Sequence, residues 1–306
     1  MIDQAEKLRK IVNNLNNEPG KNSADSLLAE RITIGRRARV VTVTSGKGGV
    51  GKTNVTVNLA IALSQRGYRV VIIDADLGLS NIDVVFGIVP RYTLLDSINS
   101  EKSILDILCD GPTNIKFISG GSGVQKLINL DKNLLDAFIA NISLLDHIAD
   151  YILIDTGAGL SDTVMNFVLS ADEVLLVVTP EPTSITDAYA LVKTVANLKK
   201  DCAINVLINR ADNENEAKTV YNNFAAVSER FLGIKLESLG YLPFDQSFTK
   251  AVKLQRPYLL CYPKNTTSKL LYDMADSIIR KEDKVNSNTQ TGIKGFINRF
   301  VGLFTN

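Results

Sequence analysis

Residues 46–53 of this chain read Gly46-Lys47-Gly48-Gly49-Val50-Gly51-Lys52-Thr53. The preceding residues 39–44 are mostly β-branched and apolar, as in a buried parallel strand, and residues 54–66 carry apolar side chains at helical spacing. A glycine-rich turn that joins a strand to a helix and ends in Lys-Thr directs backbone N–H groups at a phosphate. The pattern therefore predicts a nucleotide-binding loop, in preference to an ordinary tight turn.

The composition indicates the class of protein that contains this loop. With 306 residues, 45% hydrophobic and 22% charged, the chain is long enough for one large α/β domain with appendages. Its formal net charge of +1 gives no overall basic face, so we expect no nucleic-acid partner. The cysteines, Cys109, Cys202 and Cys261, lie far apart, which fits a reducing cytoplasm. The sequence shows neither a signal peptide nor an apolar run of the ~18–20 residues that a membrane span needs.

Strand and helix patterns alternate after the loop. Apolar strands are predicted at residues 69–73, 115–118, 151–154, 173–178, 203–208 and 238–242, with helical patterns between most of them. This alternation predicts an α/β fold with a doubly wound, mostly parallel sheet. Ligands of such sheets bind at the carboxyl ends of the strands, so the residues after each strand are the candidates for a site.

Acidic residues follow two of these strands. Asp74 and Asp76 come after strand 69–73, and Asp155 comes after strand 151–154. Beside a phosphate loop, Asp74 and Asp155 are candidates for holding Mg²⁺, and Asp76 is the candidate for orienting the attacking water. The alternative for each is a helix cap or a turn, where Asp is common.

The loop also resembles a known family. Its second lysine, Lys47, directly after the first glycine, resembles the deviant Walker A motif of the MinD/ParA ATPases. Residues 74–81 resemble the family's switch I and residues 155–159 its switch II, although Gly157 stands where MinD proteins usually have Pro. The resemblance covers residues 39–280, the predicted ATPase domain, and implies ATP or ADP and Mg²⁺ as cofactors.

The resemblance also implies roles for single residues. Lys47 would reach the ATP of a second subunit, Lys52 would bind the β- and γ-phosphates of its own, and Thr53 would ligate Mg²⁺. Hydrolysis would then depend on formation of a homodimer. The predicted phosphate contacts are Gly46, Lys47, Gly48, Gly49, Val50, Gly51, Lys52, Thr53 and Asn54. The predicted adenine contacts are Asn209, Arg210, Pro243 and Asp245, since an amide suits both an amino group and a ring nitrogen.

The C-terminal residues form a second amphipathic segment. A polar linker at 281–291 precedes residues 292–306, in which one helical face is apolar: Ile293, Phe296, Ile297, Phe300, Leu303 and Phe304. The segment is either a last core helix or a helix that lies on a membrane surface. The linker, the aromatic bulk and the lack of acidic residues favour the membrane, and the segment resembles the membrane-targeting tail of MinD-like proteins.

The N-terminal residues indicate one branch within the MinD/ParA family. Residues 1–15 predict an amphipathic helix, which a polar linker at 16–38 separates from the main domain. Within it, Asp3, Gln4, Ala5, Leu8 and Arg9 match the DQAxxLR motif of the FlhG family, also called YlxH or FleN. That resemblance implies binding to FlhF, a signal-recognition-particle-type GTPase, and stimulation of its GTP hydrolysis by Gln4. The alternative is a plain amphipathic cap on the core.

Together these features predict an ATPase switch that regulates flagellar placement and number. It would alternate between the cytoplasm and the inner face of the cell membrane, and it would contact flagellar basal-body (C-ring) proteins. The alternatives are a cell-division MinD, a ParA-type DNA-segregation ATPase, an electron-carrying iron protein of the nitrogenase type, and an adapter in which ATP is structural. The scattered cysteines argue against the iron protein, which needs a cysteine pair to hold a cluster.

Overall fold

The computed structural model describes residues 37–76, 81–99, 101–120, 123–127, 130–199, 202–282 and 292–304. The predicted N-terminal helix of residues 1–15 lies outside these residues, together with Asp3, Gln4, Ala5, Leu8 and Arg9. Residues 16–36 of the first predicted linker and residues 283–291 of the second also lie outside them. The described residues therefore belong to the predicted ATPase domain and the C-terminal segment.

One sheet organises the described residues. Its strands are β1 Arg39–Ser45, β2 Val70–Ala75, β3 Cys109–Asp110, β4 Lys116–Ser119, β5 Tyr151–Ala158, β6 Glu173–Val178, β7 Ile204–Ala211 and β8 Leu236–Pro243. They lie in the order β3-β4-β2-β5-β1-β6-β7-β8. Neighbours are parallel except β3 and β4, which are antiparallel. The predicted mostly parallel α/β sheet is confirmed.

Helices cover both faces of the sheet. They are α1 Lys52–Gln65, α2 Ile82–Phe86, α3 Leu94–Ile98, α4 Gly123–Leu127, α5 Lys132–Ile142, α6 Leu145–Ile148, α7 Asp162–Ser170, α8 Pro182–Leu198, α9 Glu214–Leu232, α10 Gln246–Lys253, α11 Tyr258–Cys261, α12 Thr266–Glu282 and α13 Gly292–Gly302. Because side chains alternate along a strand, Val41 and Val43 of β1 pack with α1 and α12, whereas Val40 packs with the opposite layer, which includes α7 and α13. Burial on both faces explains why the central strands are apolar throughout.

The strands differ from the predicted ones mainly at their ends. All of the predicted strands are present, and only the two-residue β3 was missed, because so short an antiparallel segment carries no periodic pattern. β2 and β5 continue to Ala75 and Ala158, so Asp74 and Asp155 lie inside their strands. The two aspartates are paired in register across β2 and β5, which places their side chains on the same face of the sheet.

The C-terminal helix α13 packs against the body of the protein. It contacts α5, α6, α7 and β1, and the rings of Phe167 and Phe300 lie 4.4 Å apart. On its apolar face Ile293, Phe296, Ile297 and Phe300 are buried, Phe304 is partly buried against the same core, and Leu303 is 40% exposed. In this structure the apolar stripe therefore has the packing of a core helix, and its membrane role stays a prediction. The preceding helix α12 ends at Glu282, so its last two residues fall in the stretch predicted as linker.

Candidate active site

The glycine-rich loop turns between β1 and α1 with the geometry that its glycines permit. Gly49 has φ +79° and Gly51 has φ +91°, left-handed values that other residues rarely adopt. A Cβ on Gly46 would lie 2.3 Å from the backbone of Asp187 in α8, so a side chain there would displace that helix. These positions require glycine because of backbone conformation at two of them and close packing at the third.

The loop borders a cavity of about 360 Å³ at the carboxyl end of the sheet. Residues 48–54 line one side of it, and Asp76, Asn81, Ala158 and Arg210 line the other. The first turn of α1 contains no acidic residue, and no side chain caps its N-terminus. Free N–H groups and the positive end of the helix dipole therefore face this cavity, an arrangement suited to a phosphate.

Asp155 is a fully buried carboxylate that contacts Lys52 and Thr53, two residues of the cavity wall. Its Oδ2 accepts a hydrogen bond of 2.6 Å from Thr53 Oγ1, its Oδ1 accepts one of 2.9 Å from Thr56, and Lys52 Nζ lies 3.6 Å from Oδ1. Burial raises the pKa of Asp155, although the Lys52 cation and the two hydroxyls oppose that rise. The buried cation and carboxylate thus largely balance each other's charge.

The donor set around Asp155 fits a bound magnesium ion. Mg²⁺ takes one or two carboxylates, a hydroxyl, waters and the oxygens of a phosphate, with little need for an all-protein cage. Thr53 and Asp155 place a hydroxyl and a carboxylate oxygen side by side, next to the phosphate loop. Within the described residues, no cluster of three or more His, Cys, Asp or Glu side chains offers an alternative metal site.

Asp74, the other carboxylate predicted to hold magnesium, has different hydrogen-bond partners from Asp155. Its buried carboxylate accepts N–H groups from Asp76 at 3.2 Å, from Asn81 at 2.9 Å and from Ile82 at 3.2 Å. Burial, helped by the nearby charge of Asp155, raises the pKa of Asp74 to about 6. In this structure Asp74 anchors the backbone at both ends of residues 77–80, which are not described, and its contact with magnesium stays a prediction.

Asp76 lines the cavity, and its role in orienting the attacking water stays a prediction. Its Oδ2 lies 3.4 Å from the amide nitrogen of Asn81, and the Cβ position of Gly157 lies 3.6 Å from its Oδ1. A side chain at Gly157 would make only ordinary contacts, with Asp76 and with Val164 at 3.5 Å. The glycine found there is therefore not required by packing.

Lys47 points away from the cavity that the rest of its loop forms. Its Nζ donates to Glu181 Oε2 at 2.8 Å and to Thr183 Oγ1 at 2.9 Å, at the start of α8. The side chain is 37% exposed, and the hydrogen bond from Lys47 holds the pKa of Glu181 below its usual value. Glu181 and Thr183 were missed in the sequence, although they follow β6 at the carboxyl edge where a site is expected.

The predicted adenine residues border a second cavity, of about 240 Å³, next to the first. Asn209, Arg210, Pro243 and Asp245 all line it, together with Asn54, which was predicted as a phosphate contact. The amide nitrogen of Asn209, however, donates one of its two N–H groups to Val50 O at 2.7 Å, which ties this side chain to the loop. Phe244 and Phe248 also line the cavity, and their rings suit a flat base better than the predicted carboxylate does.

Asp245 has a structural role in this second cavity. Its carboxylate accepts the N–H of Ser247 at 2.7 Å, which caps α10, and the hydroxyl of Tyr258 at 2.6 Å. Burial alone would raise the pKa of Asp245, but hydrogen bonds from Tyr258, Ser247 and Thr267 outweigh it and hold the pKa below its usual value. Asp245 thus positions the wall of the cavity, and direct contact with adenine stays a prediction.

Known proteins of similar sequence support the predicted family. A family model described as "ParA: NUBPL iron-transfer P-loop NTPase" matches residues 36–279. The antiactivator FleN of Pseudomonas aeruginosa is 42% identical over 230 residues, which cover 75% of this chain and 82% of FleN. The flagellum site-determining protein YlxH of Helicobacter pylori is 31% identical over 266 residues, which cover 86% of this chain and 90% of YlxH.

Solved structures of MinD proteins share the fold. The cell division ATPase MinD of Pyrococcus furiosus superposes with a TM-score of 0.63 and 28% identity, covering 80% of this chain and 99% of that one. The MinD chain of the MinC:MinD complex from Aquifex aeolicus superposes with a TM-score of 0.64 and 26% identity, covering 79% of this chain and 96% of that one. The match of sequence, fold and phosphate loop confirms the predicted resemblance: this chain is a P-loop ATPase of the MinD/ParA family, and it belongs to the same branch as FleN and YlxH.

Proposed function

We propose that this chain is an ATP-dependent dimeric switch that associates with the membrane and regulates flagellar placement and number. The observation that carries the proposal is the contrast between its two loop lysines. Lys52 is buried beside Asp155, whereas Lys47 reaches outward to Glu181 and Thr183 on the surface. A cation of the phosphate loop that faces outward is available to a second copy of the chain, as an arginine finger is.

The residues of the cavity divide the chemistry of ATP hydrolysis among them. The loop N–H groups and Lys52 would bind the phosphates, and Thr53 and Asp155 would hold Mg²⁺, which would neutralise charge on the phosphate oxygens. Asp76 accepts a hydrogen bond from water and aligns it for attack on the terminal phosphorus. The partner's lysine adds the last positive charge, so that hydrolysis proceeds only within the dimer.

The C-terminal helix links this ATP cycle to membrane binding. Its apolar face packs against the body in the single chain, and that packing competes with insertion into lipid. Each large apolar side chain gains about 1.5–3 kcal/mol on full burial, so either location satisfies the same face. A dimer presents two such helices on one body, and the resulting avidity favours the membrane when ATP is bound. No helix among the described residues is long and apolar enough to cross a bilayer.

The flagellar part of the proposal rests on the two relatives and on the N-terminal motif. FleN is named an antiactivator and YlxH a flagellum site-determining protein. Asp3, Gln4, Ala5, Leu8 and Arg9 match the DQAxxLR motif at every defined position. We therefore assign FlhF as the partner of this segment, with Gln4 positioned to orient the water that hydrolyses GTP. Basal-body (C-ring) proteins are the further partners we propose.

Two assays test the proposal separately. In the first, the chain is sedimented with vesicles of phosphatidylethanolamine and phosphatidylglycerol in the presence of Mg²⁺ and either ATP or ADP. More protein in the ATP pellet supports the membrane cycle, and equal pelleting in both nucleotides overturns it.

The second assay measures GTP hydrolysis by FlhF with the wild-type chain and with Gln4→Ala. Stimulation by the wild type and its loss in Gln4→Ala support the flagellar assignment. If the wild type gives no stimulation, the chain is a MinD-like ATPase of the cell-division type, the function for which the solved MinD structures are named.

A further inference from the structure

Asp146, in the short helix α6, joins two segments that are far apart in the sequence. Its Oδ1 accepts the N–H of Ile293, in the first turn of α13, at 2.9 Å. The same oxygen accepts the N–H of Ala38, the residue before β1, at 3.2 Å. Asp146 is 8% exposed, and Ala38 and Ile293 are fully buried. One buried carboxylate oxygen is therefore the acceptor for the start of the main sheet and for the start of the C-terminal helix.

Gly292 allows α13 to approach this carboxylate closely. Its φ is +67°, and a Cβ built on it would lie 2.5 Å from Asp146 Oδ1 and 2.6 Å from Oδ2. A side chain at this position would meet both a strained backbone and the carboxylate. At the other end of the same helix, a Cβ on Gly302 would have no neighbour within 4 Å among the residues that the structure describes. Gly292 and Gly302, at the two ends of α13, thus differ in a way that an experiment can use.

A second contact fixes the far end of α13. Arg299 donates from Nε at 2.8 Å and from Nη2 at 2.5 Å to Ser170 O, at the end of α7, and from Nη2 at 2.8 Å to Asp172 Oδ1. The ring of Phe167 in α7 packs between these ends, with ring centroids 6.0 Å from Phe296 and 4.4 Å from Phe300. The helix is held by polar contacts at both ends and by aromatic packing between them.

Asp146 matters to the nucleotide site because of where β1 leads. The strand begins at Arg39, next to Ala38, and ends at Ser45, where the phosphate loop starts. A carboxylate that accepts N–H groups at a helix start is favoured by charge-assisted hydrogen bonding and by the helix dipole. When α13 leaves, Asp146 loses the N–H of Ile293 and the cover of Gly292, and water takes their place. The carboxylate can then rotate toward water and release Ala38.

We propose that Asp146 couples the docking of α13 to the order of the first residues of β1, the strand that carries the phosphate loop. Release of the C-terminal helix and loosening of the start of β1 are then one event, and stabilisation of β1 by a bound nucleotide changes the docking of α13 in return. The regulatory meaning of this coupling rests on the proposed membrane cycle. The coupling itself is a property of the isolated chain.

A pair of matched variants, Gly292→Ala and Gly302→Ala, tests the coupling. Amide hydrogen exchange is measured on the full-length protein without nucleotide or vesicles, over residues 292–304 and residues 37–41. Gly292→Ala is expected to speed exchange about tenfold or more in α13 and to speed it several-fold at Ala38. Gly302→Ala is expected to leave both segments as in the wild type, because its added methyl group meets nothing.

Asp146→Asn provides a second, nearly isosteric variant that changes the acceptor from the side of the body. It keeps one oxygen as an acceptor but removes the charge. Exchange is therefore expected to rise in both segments, by less than in Gly292→Ala. Faster exchange in α13 with an unchanged rate at Ala38, in either variant, would show that docking and β1 are independent and would overturn the coupling. Unchanged exchange in α13 of Gly292→Ala would overturn the role of Asp146 and Gly292 in docking.

Vesicle sedimentation of the same variants separates this inference from the proposed function. If Gly292→Ala exchanges faster in both segments but pellets with vesicles no better than the wild type in ADP, the coupling stands and the membrane role fails. If it pellets better while Ala38 exchanges at the wild-type rate, the membrane role stands and the coupling fails.

Discussion

The two lysines of the phosphate loop show how one sequence motif creates two environments. Lys52 lies at the start of α1 with 7% of its surface exposed and faces the buried Asp155. Lys47, five positions earlier, lies beside the exposed Glu181. The difference arises from tertiary structure, because α8 places Glu181 and Thr183 next to the beginning of the loop. Substitutions of the two lysines should therefore fail in different ways.

We expect Lys52→Ala to abolish ATP binding and Lys47→Ala to preserve it. Lys52 contributes a buried charge to the phosphate cavity of its own chain, whereas Lys47 makes no contact with that cavity. Lys47→Ala should bind a fluorescent ATP analogue within about threefold of the wild type yet remain monomeric in light scattering with ATP and lose nearly all ATPase activity. Equal loss of binding in the two variants would show that Lys47 acts within its own site.

Asp245→Asn should lower stability in a pH-dependent way. The pKa of Asp245 is lowered on folding, so the ionised carboxylate stabilises the fold above its unfolded pKa of about 3.9. That contribution is lost as the pH falls through the lowered folded value. The difference in melting temperature between wild type and Asp245→Asn should be constant from about pH 5 to 8 and should shrink below about pH 4. A difference that grows on acidification would contradict this role.

The phosphate loop and Asp155 could be predicted from the sequence because both belong to local patterns, a glycine-rich turn after a strand and an acid at the end of one. The partners of Asn209 and Asp245 could not. Asn209 donates to Val50 and Asp245 accepts from Tyr258, and only the folded sheet brings these pairs together. The outward direction of Lys47 agrees with the role that the resemblance implied, but its partners Glu181 and Thr183 carried no motif.

At the scale of the element, α13 shows the limit of amphipathic patterns. The sequence predicted the apolar stripe of Phe296 and Phe300, but a stripe does not say whether protein or lipid covers it. The covering surface comes from α5, α6 and α7, more than a hundred residues earlier in the chain. For the same reason Asp146 and Arg299 could not be identified as contacts of this helix.

Asp172→Asn should release α13 without changing the helix itself. The substitution removes the charge that pairs with Arg299 and leaves every apolar residue of the membrane face intact. Because the pair is partly exposed, we expect a loss of about 1 kcal/mol and roughly fivefold more protein bound to vesicles in ADP. Glu229→Gln, an exposed charge change on α9, is the matched control and should bind vesicles as the wild type does. Wild-type binding by Asp172→Asn would mean that the ion pair between Arg299 and Asp172 does not hold the helix.

At the scale of the molecule, the candidate site and a buried ion pair that stabilises the fold lie at opposite ends of the strands. The two cavities lie at the carboxyl ends of the strands. A buried ion pair between Arg39 of β1 and Glu173 of β6 lies at the amino ends. Glu173 also accepts from Asn205, and Arg39 donates to Ile278 O at 2.8 Å in α12. The charges therefore tie β1, β6, β7 and α12 together at the edge opposite the nucleotide.

Glu173→Ala should destabilise the fold and leave the nucleotide site intact. It leaves the Arg39 guanidinium buried without its carboxylate, and breaking such a pair costs about 3–5 kcal/mol. Urea unfolding should show a free energy of unfolding lowered by that amount, and hence a lower midpoint, while ATP affinity below the transition stays within about twofold of the wild type. A stability loss below about 1 kcal/mol would contradict the structural role of this pair.

We propose that, besides the avidity of two helices, pairing of two ATP-bound chains through Lys47 weakens the docking of α13 on its own body. Amide exchange of residues 292–304, measured on the full-length protein with Mg²⁺ and either ADP or a slowly hydrolysed ATP analogue, tests this claim most directly. We expect faster exchange of α13 with the ATP analogue than with ADP, and no such increase in Lys47→Ala. Equal protection of α13 in both nucleotides, in a protein that light scattering shows to be dimeric with the analogue, would contradict it.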